Sequence, residues 1–264
     1  MENAVQSRQS RQPRQSRPAS WWRILLVWAR QEFMLLLREP VAVFFSLAFP
    51  LIIYVFIGIP YGSTEIAPGV HFIDAMFSSL ILTVAANLLL MGLPIYLAEL
   101  RSCGVDRRYA VLPLPGRLFA SSVLASMLIL LAGSSAVIVL VVGLRATLWS
   151  PVYLLLLIGS ILWLSALGFL IGALRVSART TQALSAAIFF IMFFGSGAAV
   201  PLEGLPEILQ KVLEWNPLKQ WLDVMIGVYT GAGASRTEWL RLLLALPMTT
   251  ICALGGLQLW KQRG

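Results

Sequence analysis

Residues 151–174 read PVYLLLLIGSILWLSALGFLIGAL, a stretch without one charged side chain. A helix needs about 20 predominantly apolar residues to cross ~30 Å of hydrocarbon, so this stretch is by itself long enough to span a bilayer. Comparable runs occupy residues 41–60, 72–97, 118–143, 182–200 and 239–260. They are continuous rather than alternating, which argues against a closed β-barrel. With 58% hydrophobic and only 12% charged residues, and a mean hydropathy of +0.81, the chain has too little polar surface for a soluble domain of its length. The expected fold class is therefore an all-α polytopic membrane protein with six transmembrane helices.

The segments between and before the spans carry the remaining organisation. Residues 1–19 are Ser, Gln, Arg and Pro with almost no apolar content and read as a disordered basic tail. Its arginines 8, 11, 14 and 17 serve as a topology signal or meet anionic lipid headgroups. Residues 20–39 read as an amphipathic helix in the headgroup plane, with Arg23, Arg30 and Arg38 on one side and Trp21, Trp22 and Trp28 among the rest. Glu32 and Glu39 share a face away from the arginines and are candidate contacts to a cytoplasmic partner. Residues 20–264 form a single transmembrane domain. Pro50 is expected to kink the first span, and 61–71 to be a short loop. Between spans five and six, Pro206 opens a short helix with an apolar stripe of Ile208, Leu209, Val212 and Leu213. Asn216-Pro217 breaks it, and a second piece ends at Gly231. Neither piece is long enough to span, so both read as outer re-entrant half-helices, with Trp215, Trp221 and Tyr229 at headgroup level.

Fifteen of the 20 Lys and Arg fall in the N-terminus, 98–117, 175–181 and the C-terminus. The positive-inside rule puts these segments, and both chain ends, on the cytoplasmic side. The net charge of +8 is thereby accounted for by membrane orientation, without nucleic acid. The first residues lack the pattern of a cleavable signal.

Several chemistries are poorly served. A phosphate-binding loop needs glycines followed by Lys-Ser/Thr. The three lysines, Lys211, Lys219 and Lys261, none of them after a glycine, do not provide one. The lone histidine, His71, lies in an outer loop, which leaves no base for an intramembrane hydrolase. Ser196 between two glycines reads as a close-packing site. No catalytic residue, metal site or cofactor of the chain's own is expected. Ion-coupled transport leaves ionisable groups inside spans. Here Asn87 alone is deep, either helix–helix glue or a substrate ligand.

Three motifs in order carry a resemblance. Arg30-Gln-Glu-Phe-Met-Leu-Leu-Leu-Arg-Glu-Pro40 with Phe44-Phe-Ser-Leu-Ala-Phe-Pro50 resembles the opening of type-2 ABC exporter permeases. Glu99-Leu-Arg-Ser-Cys-Gly-Val-Asp-Arg-Arg108 is similar to that family's charged segment after the second span. Ser196-Gly-Ala-Ala-Val-Pro-Leu-Glu-Gly-Leu-Pro206 with Asn216-Pro-Leu218 looks like its outer re-entrant helices. Asp223 and Met225 stand where members of the family often carry an Arg. The resemblance implies a non-enzymatic permease in a cell membrane, of a bacterium. It implies pairing with a second permease copy or paralogue and with two separate ABC ATPase subunits, which would hold ATP and magnesium. Coupling to them would fall to Glu32, Arg38, Glu99, Arg101, Asp106, Arg107 and Arg108. Spans one, two and five would line the path, making Phe45, Phe49, Asn87, Met91, Phe190 and Phe194 its candidate lining or gate. Phe190 and Phe194, four apart, share a helix face and read either as an apolar outer gate or as lipid-facing bulk. The cargo implied is a drug-like molecule or lipid moved outward; export of polysaccharide or lipid-linked glycan is the alternative, and an ion-coupled secondary transporter a further one.

Overall fold

The computed structural model describes residues 21–37, 44–67, 69–104, 116–143, 150–198 and 206–261. The basic tail 1–19 lies outside them. Helix α1 is Trp21–Leu37. The next helix, α2, runs through residues 44–61 with two π-helical turns, Phe44–Ala48 and Tyr54–Gly58, alternating with α-helical Phe49–Ile53 and Ile59–Tyr61. Pro50 is an interior residue of this helix, the second of Phe49–Ile53, and its missing N–H leaves a gap in the ladder. The widened turns on either side absorb the change in hydrogen-bond register. A two-stranded ribbon follows in place of a plain loop, β1 (Glu65–Ala67) against β2 (Val70–His71). Its turn closes on Gly69, at φ 73°, whose N–H donates to the Glu65 carboxylate at 2.7 Å.

Helix α3, Phe72–Ser102, is 31 residues long and forms the central column. Its start is fixed by a capping box in which the His71 N–H donates to Asp74 Oδ2 at 3.2 Å. Every residue from Ala75 to Leu90 is buried. The polar side chains along it turn inward on their own helix. Ser79 and Thr83 donate to the carbonyls of Ala75 and Ser79, which keeps them neutral in an apolar column. A π segment, Asn87–Gly92, precedes Pro94, so the ladder is loosened where the proline would otherwise orphan a carbonyl.

Three long helices flank α3, namely α4 (Gly116–Val142), α5 (Pro151–Ala173) and α6 (Ala178–Phe194), and a fourth, α9 (Arg236–Lys261), packs along α5. By length and composition Phe72–Ser102, Ser121–Val142 and Pro151–Ala173 can each cross a membrane, while Ser46–Tyr61 and Ala178–Phe194 are shorter apolar helices. Glycine sets the close approaches. A Cβ on Gly168 would strike the Leu89 carbonyl oxygen, and one on Gly256 would lie 2.9 Å from the Phe169 ring. These positions let α5 pack tightly on α3 and on α9.

Between α6 and α9 lie two short helices, α7 (Glu207–Leu213) and α8 (Pro217–Thr230). The first is surface: Ile208 is 80% exposed. The second is core, with Leu218, Trp221, Leu222, Val224, Met225 and Tyr229 all buried. Trp221 and Tyr229, expected at headgroup level, are thus buried within the bundle. Trp221 fills a notch over Gly159 of α5. Tyr229 stacks on Phe77 with ring centroids 4.7 Å apart and tilts against Tyr153 at 5.3 Å. Both aromatics are sockets of the bundle, and Trp215, at 70% exposure, is the one that faces outward.

Candidate functional site

At one end of the bundle the last turns of α3 meet the turn between α5 and α6. Arg101 Nη1 donates to the Leu174 carbonyl, one of the orphan acceptors at the C-terminus of α5. Ser102 Oγ donates to the Glu99 carbonyl at 2.7 Å, and Ser177 caps α6 by accepting from the Thr180 N–H at 3.1 Å. Ala98, Arg101, Ser102, Val176 and Ser177 border a cleft of about 510 Å³. Glu99, Arg175 and Arg179 are exposed beside it. Arg101 thus joins two helix ends within the chain, where the sequence suggested a contact to a partner. The 175–181 segment, which the sequence marked only by its orienting basic residues, contributes Val176 and Ser177 to the same surface. Asp106, Arg107, Arg108 and Arg38 lie outside the described residues, and Glu32 falls on α1.

Helix α1 packs along α4. Buried Ala29 faces α4, and the Ser126 hydroxyl is shared between the Ala29 carbonyl at 3.0 Å and its own helix's Ser122 carbonyl at 2.8 Å. The small side chains at this seam bring the two backbones together. The opposite face of α1 exposes Leu26, Val27, Arg30, Met34 and Leu35.

Toward the other end, Phe49 of α2 meets Phe193 of α6 with centroids 5.9 Å apart. Phe189 and Phe193 are buried and stacked at 5.5 Å. Phe190 and Phe194 stack at 6.0 Å on the exposed side of the same helix. Phe45 falls in the first π turn of α2. Asn87 is buried in the π segment of α3, its Nδ2 at 4.0 Å from the Sδ of half-buried Met91. The structure therefore joins Phe49 to the α6 aromatics and sets Asn87 and Met91 together one helix away.

The α7–α8 insert is fastened by polar contacts that the sequence did not suggest. Asn216 Oδ1 caps α8 by accepting from the Leu218 N–H at 3.0 Å, and its Nδ2 donates to the Met192 carbonyl of α6 at 2.8 Å. Glu214 pairs with Arg241 of α9 at 2.8 Å, and Lys219 with Asp223 at 2.8 Å. Burial raises the Asp223 carboxyl above its ordinary value, Lys219 and Arg241 pull it back, and Glu238 adds to the rise. The Asn216-Pro217 pair marks only a break in the sequence; the second bond of the Asn216 amide depends on the neighbouring helix end.

Compared with known protein families, the model described as ABC-2 type transporter matches residues 23–230, from α1 to the last residue of α8. No curated protein matches the chain.

Proposed function

We propose, from the premise that this chain belongs to the ABC-2 type transporter family, that it is the permease half of an ATP-driven exporter of hydrophobic or amphipathic molecules. The chain is a membrane permease component of an ABC transporter, and such permeases work with ABC ATPase subunits. The finer reading is ours. Helices α2, α3, α4, α5, α6 and α9 act as six spans with both chain ends in the cytoplasm. Two copies, or this chain and a paralogue, enclose the path, and two ATPase subunits close on ATP beneath them.

Two mechanical routes lead from that closure into the bundle. Motion of α1 passes to α4 through the Ala29–Ser126 seam. Motion of the segment after α3 passes to the α5–α6 turn through Arg101 and Leu174. Neither route needs a charge inside the hydrocarbon, which suits spans made of aliphatic and aromatic side chains.

The cargo class rests on one observation, the aromatic wall formed where α2 meets α6. Phe49 and Phe193 join the two helices, and Phe190 and Phe194 extend the wall on the exposed side. An apolar wall of this kind recognises amphiphiles by burial of surface rather than by hydrogen bonds. The test is purification of the complex from its native membrane. We expect an ATP-hydrolysing subunit to co-purify, amphipathic compounds to stimulate hydrolysis, and Phe190→Ala with Phe194→Ala to lose that stimulation. Absence of an ATPase refutes the exporter reading, and stimulation by glycans alone refutes the cargo class.

A further inference from the structure

The α7–α8 insert is held unevenly. Helix α8 packs along α3, α5 and α9, but meets α6 sparsely. Its socket contacts, Trp221 over Gly159 and Tyr229 on Phe77, all lie on the α3–α5 side. On the α6 side the polar tie between described residues is the Asn216–Met192 hydrogen bond. At that helix end the Ile191 carbonyl accepts from the Gly195 N–H, and the Phe193 carbonyl from the Ser196 N–H and hydroxyl. Asn216 supplies the donor for the carbonyl between them. A side chain on Gly195 would sit 2.8 Å from Asn216 Nδ2 and 2.8 Å from the Leu213 side chain, so only glycine lets the α7–α8 junction close on α6. Glycines with positive φ flank the insert, Gly197 at 78° before it and Gly231 at 81° after it, where the backbone can pivot without side-chain strain.

We propose that the outer end of this permease parts along the seam between α6 and the α7–α8 insert, and that Asn216 is the positioning residue whose amide latches the seam shut. The insert stays with α3, α5 and α9 while the α6 end, with Phe190 and Phe194, swings away. The proposal rests on the exporter reading above, which makes this end the outward one.

Asn216 has two bonds that substitution can separate. Asn216→Ser and Asn216→Asp both keep an oxygen to cap α8, and both remove the donor to Met192. Leaving a buried carbonyl without its donor weakens closure by an amount equivalent to about tenfold in the open population. The readout is labelling by a membrane-impermeant maleimide in intact cells, in a chain with Cys103→Ser and Cys252→Ser. One reporter is Ala198→Cys, three residues beyond Gly195 of the seam; the other is Val224→Cys, on the buried body of α8. Both sites are closed, at 4% and 0% exposure.

Either Asn216 variant is expected to raise the labelling rate about tenfold at the seam reporter and to leave the α8 reporter unchanged. An equal rise at both reporters means general loosening and overturns the latch. So does no rise at the seam, or failure of both variants to reach the membrane. A separate arm tests the underlying reading. In membranes that contain the ATPase subunit, ATP should raise seam labelling of the chain with Asn216 intact. Failure of that arm alone counts against the exporter cycle, not against the latch.

Discussion

Gly159→Ala tests the seating of the α8 half-helix most sharply. A Cβ at this position would lie 2.6 Å from Cη2 and 3.1 Å from Cζ3 of Trp221. Ordinary contact begins at 3.4 Å, so the indole must retreat by about 0.8 Å. Trp221 is 3% exposed and its ring is enclosed, which leaves α8 itself as the part that gives way. Overpacking of this kind costs about 1–3 kcal/mol, against a gain of up to ~1 kcal/mol from replacing glycine in a helix. With the overpacking cost at the middle of its range, about 2 kcal/mol, the net loss is about 1–2 kcal/mol, a fall of roughly 2–8 °C in melting temperature for a chain of this size. The assay is thermal unfolding of the purified protein in detergent, with Gly133→Ala as control. At Gly133 a Cβ meets nothing within 4 Å, so that variant is expected to melt with or slightly above the unaltered chain. Trp221→Phe should restore room, and the double variant should be more stable than the two single losses added together, by about 1 kcal/mol. Unchanged melting of Gly159→Ala, or strict additivity with Trp221→Phe, would refute the notch.

The raised Asp223 carboxyl makes stability depend on pH. Its folded value lies above the unfolded one, so its contribution is greatest below the unfolded value and is lost as pH rises through the folded value. Relative to Asp223→Asn, the unaltered protein should lose melting temperature between those two values and run parallel to the variant above them; curves parallel throughout contradict the buried carboxyl. Charge reversal at Arg107 and Arg108 together is expected to leave the protein in the membrane and ATP hydrolysis running while export falls, measured as cargo moved per ATP; an unchanged ratio sinks their coupling role.

How much of this was legible depended on the range of the interaction involved. The α5 stretch announces itself because a charge-free run of its length has one physical use, and the three motifs that suggested type-2 ABC permeases are local strings. The break at Asn216-Pro217 is local too, since a proline and a capping side chain act on their own neighbours. The π turns in α2 and α3 lie beside Pro50 and Pro94, and a proline announces a disturbed ladder without saying that the disturbance takes the form of a widened turn. Trp221 and Tyr229 carry the amphiphilic chemistry of headgroup aromatics. That they also fill sockets in the bundle shows only through the distant Gly159, Phe77 and Tyr153. Arg101 sits in a charged string that resembles a docking segment, while its acceptor, the Leu174 carbonyl, becomes available only when α5 ends beside it.

The central claim is that the chain forms a conduit whose driving force comes from another polypeptide. The most direct measurement is uptake of a fluorescent amphiphile by sealed vesicles that contain the chain, with and without the co-purifying ATPase subunit and ATP. Accumulation is expected when subunit and nucleotide are both present, and none when either is left out. Accumulation driven by the chain alone, without nucleotide, would contradict it.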